Sequence, residues 1–185
     1  DLSNGICSLK PNQDRCAMIC EMSLGLDGKR GKYKFYSGLI KSKARLTYNQ
    51  VEKHLQGSSK IELSQARDSI NDLNELTNLR LIHRNKRKAL EINPKEISLE
   101  LNKNKEVKNI LVKKSLFAHK LVEESMLLAN ESAAEFMQDR LNLGVYRVHE
   151  DPDASKLELL KKHFHIPAQI SKKLSPLEVI NSCLI

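Results

Sequence analysis

The sequence predicts an α+β domain, or a piece of one, in which helices pack on an antiparallel sheet. Three observations carry this. Two stretches, Ala66 to Ile82 and Leu116 to Leu141, repeat apolar side chains at three- and four-residue intervals, as helices with one buried face do. Several shorter stretches alternate apolar and polar residues between Gly, Pro, Asn or Asp, the pattern of strands and turns. Finally, 185 residues, 40% of them hydrophobic and 29% charged, suffice for one domain with a sizeable core.

The elements follow in order. Residues 2–15 are polar and turn-rich, punctuated by Gly5 and Pro11, and read as a loop. From Cys16 to Leu24 apolar and polar residues roughly alternate, Asp27-Gly28 signals a turn, and Tyr33 to Ser42 resumes an aromatic and aliphatic pattern; together these predict a β-hairpin. Thr47-Tyr-Asn-Gln50 fits a capping box, in which Thr47 caps a helix and Gln50 folds back, so a short helix should reach about Leu55. Beyond the loop Gln56-Gly-Ser-Ser59, a stripe at Ala66, Ile70, Leu73, Leu76, Leu79 and Ile82 marks a longer helix. The basic run Arg84-Asn-Lys-Arg-Lys88 closes it, where cations oppose the negative end of the helix dipole. Short strands are expected at 89–92, 97–101 and 107–112, separated by turns at Asn93-Pro94 and Asn102-Lys-Asn104.

The longest helical pattern in the second half runs from about Leu116 to Leu141 and should stop near Gly144. Leu121, Val122, Ser125, Leu128, Ala129, Ala133, Phe136 and Met137 form its face for burial. Beside that face His119, Glu123, Met126 and Asn130 line one polar edge, which reads as solvated surface by default and is also suited to lining a groove. Glu123 and Glu124 are adjacent and so point about 100° apart. Their roles should differ, with Glu123 on the edge and Glu124 rotated away. A strand is expected at Val145-Tyr-Arg-Val-His149, a turn at Asp151-Pro152 and a helix from Lys156 to Phe164, before a tail punctuated by Pro167 and Pro176.

A formal net charge of +8 favours polyanionic partners such as nucleic acid or an acidic membrane surface. No apolar run approaches the roughly 20 residues that span a bilayer, and the N-terminus has no basic-then-apolar leader, so a cytosolic location is expected. The opening Asp1-Leu2-Ser3, without an initiator methionine, suggests a piece of a longer protein. Cys7, Cys16, Cys20 and Cys183 lack paired spacing and should be free thiols, and His163-x-His165 lacks partner ligands. The sequence contains no Gly-rich phosphate loop, nucleophile elbow, His-Glu-x-x-His helix or clustered aspartates. No catalytic or metal-binding residue is therefore predicted within it.

Five separated blocks carry a resemblance. They are residues 2–15 with Cys20-Glu-Met, Lys34-Phe-Tyr36, Ala44-Arg-Leu-Thr-Tyr-Asn-Gln-Val51, Ala118 to Asn130, and Tyr146-Arg-Val-His149. In order and spacing they resemble bacterial ribonuclease R of the ribonuclease II and R family, from Leu2 to about Phe164, with 166–185 only loosely similar. The resemblance implies that 1–185 is an internal part of that family's catalytic domain, a partial catalytic domain. It would lack the upstream aspartates that hold magnesium and the downstream catalytic arginine. Enzymes of this family hydrolyse single-stranded RNA processively from the 3′ end to nucleoside monophosphates, with Mg2+, between oligonucleotide-binding barrels that grip the strand. The expectation is an RNA-channel segment of a cytoplasmic exoribonuclease, inactive alone, with single-stranded or structured RNA as partner.

The resemblance also assigns residues. Tyr48 matches a tyrosine near the bound 3′ segment, and Glu123 matches a glutamate that contacts a base. Ile92 stands where the family often has a phenylalanine that clamps the terminal base, and an aliphatic side chain cannot stack as a ring does. Arg147 and His149, in another matching block, read as structural strand-end residues. Charge and composition alone permit an alternative, a non-catalytic basic module that binds RNA or protein through exposed helices.

Overall fold

The computed structural model describes residues 2–87, 89, 96–113, 115–148, 150, 152–167 and 175–183. They belong to two compact units, one formed by 1–83 with 116–144, the other by 84–115 with 145–185.

The first unit opens on a wide π-type turn, Leu2–Ile6, where a loop was expected; the Cys7 N–H reaches the Leu2 carbonyl at 3.2 Å, and Gly5 leaves the helical region at φ −105, ψ −113. The hairpin follows as read, with β1 at Asp14–Leu24 and β2 at Arg30–Lys41. Asp14 stands opposite Lys41 and Cys20 opposite Phe35, with an irregularity between Met22 and Leu24. Gly28 in the connecting turn has φ +77, and a Cβ there would lie 2.4 Å from the Leu79 carbonyl oxygen. Only glycine satisfies both the left-handed backbone and this close approach to the neighbouring helix.

Helix α1 is Tyr48–Leu55, and its capping box forms as expected: the Gln50 N–H donates to Thr47 Oγ1 at 3.3 Å, and the Thr47 N–H to Gln50 Oε1 at 2.8 Å. Helices α2, Ser64–Lys86, and α3, Phe117–Leu141, supply the rest of the unit. Val51, Ala118 and Leu121 are buried together, with Leu46, Leu55, Ile70, Leu73, Leu116 and Phe117 packed around them. Fully burying a Val or Leu side chain contributes about 1.5–3 kcal/mol, so this cluster clamps α1 and α2 onto the start of α3. The hairpin meets the far end of α3 through Phe35 and Phe136, edge to face at 5.3 Å.

The inner face of α3 differs from the expected stripe. Ala118, Leu121, Glu124, Leu128 and Ser132 are buried, whereas Val122 is 40% exposed. Glu124 is drawn inward by Arg80, itself buried on α2. Arg80 Nε stands 3.4 Å from Glu124 Oε2, Nη1 donates to the Gly28 carbonyl at 3.0 Å, and Nη2 lies 3.5 Å from Glu131 Oε1. One guanidinium thus ties the hairpin turn, α2 and α3. The α2 stripe shifts accordingly: Thr77 and Arg80 are its buried residues, and Ile82 is exposed. The buried hydroxyls of Thr77 and Ser132 donate to the carbonyls of Leu73 and Leu128, at 2.7 and 2.8 Å. Helix α3 ends at Asn142, two residues before Gly144, because Asn142 takes the left-handed cap at φ 49. Asparagine tolerates that region through its short polar side chain.

In the second unit β3, Glu96–Leu101, pairs antiparallel with β4, Val107–Lys113. Asn102 Oδ1 closes the turn by accepting from the N–H groups of Asn104 and Glu106 at 2.9 and 3.0 Å. Helix α4, Ala154–His163, is capped by Asp153, and α5, Pro176–Ser182, begins with Pro at its first turn and a Ser175–Glu178 capping box. These two helices pack on each other, and Val179 is buried. The antiparallel strands form two separate two-stranded sheets among the described residues.

Two strand expectations change. Residues 145–148 form no strand, and Val145 is fully exposed. Alternation marks a segment that suits a sheet, but a strand also needs an edge to pair with. The segment 89–92 lies outside the described residues apart from Ala89, which belongs to no element. No helix among the described residues is long and apolar enough to cross a membrane.

Glu124→Leu strands Arg80 as a buried, less compensated cation and should destabilise the protein by about 3–5 kcal/mol in urea denaturation. The double variant Arg80→Met/Glu124→Leu should recover part of that loss, the unmet Gly28 carbonyl accounting for the remainder. A cost below about 1 kcal/mol for Glu124→Leu would show that the pair does not hold the unit together.

Candidate nucleic-acid interface

Tyr48 and His119 meet where the N-terminal turns of α1 and α3 come together. Tyr48 is the first residue of α1, set there by the Thr47 cap, and is 46% exposed. His119 is the third residue of α3, counted from the Leu116 cap position. The contact is arranged by Val51 packing on Ala118 and Leu121, and by Glu52, whose Oε2 accepts the Ala118 N–H at 2.9 Å. A carboxylate at a helix N-terminus satisfies an orphan donor and opposes the positive end of the dipole.

The rings of Tyr48 and His119 stack with centroids 4.2 Å apart and planes 31° from parallel. His119 Nδ1 accepts the Leu116 N–H at 3.0 Å and lies 3.2 Å from the carbonyl oxygen of the same residue, so the ring is fastened to the cap position. One turn further along, Glu123 is half-buried, and its Oε2 lies 3.2 Å from Lys120 Nζ. Residues four apart are neighbours on a helix surface, so the edge expected from spacing is real, and it continues through exposed Met126 and Asn130. Glu123 and Glu124 do take different roles, one on this edge and one fully buried against Arg80. The arrangement offers a half-open aromatic face, a carboxylate that can accept from base or ribose donors, and a lysine that offsets its negative charge. Stacking faces and hydrogen bonds to base edges are among the means by which proteins hold single-stranded nucleic acid.

Other expected residues fall elsewhere. Ile92 and His149 lie outside the described residues, and Arg147 is exposed in the segment that forms no strand, so its strand-end reading loses its basis. All four cysteines are free thiols, as expected. Among the described residues no three His, Cys, Asp or Glu side chains converge to hold a cation. They thus offer no donor set for the magnesium that the resemblance implies.

Sequence reasoning missed two features. The first is the Arg80–Glu124 pair. Its signal is present, since Glu124 follows Leu121 by three residues and precedes Leu128 by four, as Arg80 follows Leu73 by seven and Thr77 by three. The second is a cleft of about 290 Å³ lined by Tyr33, Lys34, Phe35, Phe136, Asp139 and Arg140. Desolvation, reinforced by Asp139 and Glu135, holds the Tyr33 hydroxyl above the usual phenol range. On the other face of β2, Tyr36 donates to Glu21 at 2.9 Å; this hydrogen bond lowers the pKa of the carboxyl and raises that of the phenol.

Comparison with known proteins places this geometry in context. Residues 1–183 match the family model described as the RNB domain. Ribonuclease R of Thermotoga maritima is 38% identical over 180 residues, covering 95% of this chain and 25% of that protein. Ribonuclease R of Escherichia coli is 36% identical over 159 residues, covering 84% of this chain and 19% of that protein. The chain therefore spans a quarter or less of the length of these relatives. The structure of Mycoplasma genitalium RNase R in complex with ribose methylated single-stranded RNA superposes with a TM-score of 0.83 at 27% identity, over 100% of this chain and 32% of that one.

Glu52→Ala should remove the clip between α1 and α3, costing about 1–2 kcal/mol. It should also speed amide exchange at Ala118, measured by NMR, while Glu52→Gln, which keeps an acceptor oxygen, retains most of the protection. Unchanged exchange in Glu52→Ala would show that the clip does not order the helix start.

Proposed function

The chain belongs to the RNB-domain family, and from that premise we propose that it forms part of the RNA-channel wall of a cytoplasmic, processive 3′-to-5′ exoribonuclease. That enzyme hydrolyses single-stranded RNA to nucleoside monophosphates with magnesium. The observation that carries the reading is the stacked Tyr48–His119 pair, half-exposed beside Glu123 and Lys120 on one helix edge. In this reading a nucleotide base stacks on the open face of Tyr48, and Glu123 accepts a hydrogen bond from base or ribose. Such stacking tolerates any base, which suits an enzyme that passes a whole strand through one channel.

Support comes from the net charge of +8 and from the relatives, which carry the names ribonuclease R and exoribonuclease 2. The Mycoplasma genitalium protein has been captured with both single-stranded and double-stranded RNA, which favours structured as well as single-stranded RNA as partners here. The catalytic metal ligands are assigned to residues outside this chain, because its own sequence carries no aspartate cluster.

In the full-length protein, Tyr48→Ala should weaken binding of a single-stranded oligoribonucleotide by about 5- to 100-fold, the range a lost base stack produces, with little change in melting temperature. Glu123→Ala should alter RNA handling in the same assay. A large loss of thermal stability with unchanged RNA binding would show both residues to be packing groups. The chain alone, purified free of nuclease, should release no mononucleotides from RNA with magnesium; release would refute the assignment of the catalytic groups to sequence outside it.

A further inference from the structure

We infer that His119 is a positioning residue for RNA: its imidazole braces the inner face of Tyr48 and holds that ring ready for a base on its outer face. The inference rests on the reading of Tyr48 as an RNA-facing ring.

The argument begins with what a helix start requires. Among the described residues, three helices fold a third-position side chain back onto the backbone N–H of the cap residue: Gln50 in α1, Glu178 in α5 and His119 in α3. Glutamine and glutamate are the usual groups for this task and favour helices more than histidine does. The hydrogen bond alone therefore does not account for histidine in α3. What His119 adds is a flat ring, and that ring lies against Tyr48 at 4.2 Å.

The brace is itself held twice. Nδ1 is tied to the Leu116 N–H, and the backbone that carries the ring is pinned one residue earlier by Glu52 on the Ala118 N–H. Tyr48 is 46% exposed and would otherwise sample several rotamers at the end of α1. With one face covered by an anchored imidazole, its side-chain entropy is lost on folding rather than on RNA binding. Affinity gained in this way appears in binding and not in the chemical step.

Two variants of the full-length protein separate brace from cap. His119→Gln keeps an acceptor for the Leu116 N–H and removes the ring; His119→Phe keeps a ring and removes the acceptor. Steady-state hydrolysis of a short single-stranded oligouridylate is the assay. His119→Gln should raise KM by about three- to tenfold, the worth of one aromatic contact, with kcat and melting temperature unchanged. His119→Phe should restore the low KM while lowering the melting temperature. In a Tyr48→Ala background, His119→Gln should add nothing further. A wild-type KM for His119→Gln, or an effect fully additive to Tyr48→Ala, overturns the inference while the role of Tyr48 stands. A wild-type KM for Tyr48→Ala overturns the reading of Tyr48 and the inference with it.

Discussion

The first unit depends on a single buried guanidinium. Arg80 contacts a carboxylate on α3, the backbone carbonyl of Gly28 in the hairpin turn, and a second carboxylate at the exposed margin of α3. A buried ion pair contributes little to stability compared with well-packed apolar groups, but removing one partner is costly. Its larger effect here is geometric. Turning α3 by one residue would present Glu123 or Ser125 to Arg80 and leave Glu124 without its cation, so the pair holds the helix in one rotational setting. Gly28 belongs to the same constraint, since its carbonyl can reach Arg80 only because no side chain separates the turn from α2.

That rotational setting determines what α3 shows to its surroundings. With Leu121, Glu124 and Leu128 inward, the line through His119 and Glu123 lies at the margin of the packed face. The start of α1 is brought beside it by the small apolar cluster around Val51 and by the Glu52 clip. Burial in the core, a helix cap and a stacked pair of rings thus act in series: each positions the group that the next one uses. That edge is built on helix termini, where unsatisfied backbone donors attract side-chain acceptors and leave little freedom to the rings attached there.

Where the structure departs from the sequence reading, the reasons are physical and local. Spacing identified a helix at 116–141 and an edge at 119, 123, 126 and 130, because both are properties of one helix. It assigned Val122 to the core and overlooked Glu124, because hydrophobicity ranks side chains by type, and a carboxylate becomes a core residue only when a cation from another element meets it. The same limit explains 145–148: alternation is visible in one segment, but a pairing edge belongs to two. Asn142 ends α3 ahead of Gly144 because either residue can take the left-handed cap, and the last packed turn, not composition, decides which does.

The sequence by itself determined the α+β class, the hairpin with its Asp27-Gly28 turn, the capped start of α1, and the family through blocks of matching residues. All of these depend on interactions between residues close in the chain or on motifs that can be compared directly. Only the tertiary structure decided which face of α3 is buried, that Arg80 and Glu124 meet across 44 positions, and that Tyr48 and His119 stack. Those contacts join residues far apart in sequence, and their partners are selected by how the helices pack. No local preference of Tyr48 or His119 encodes the other's position.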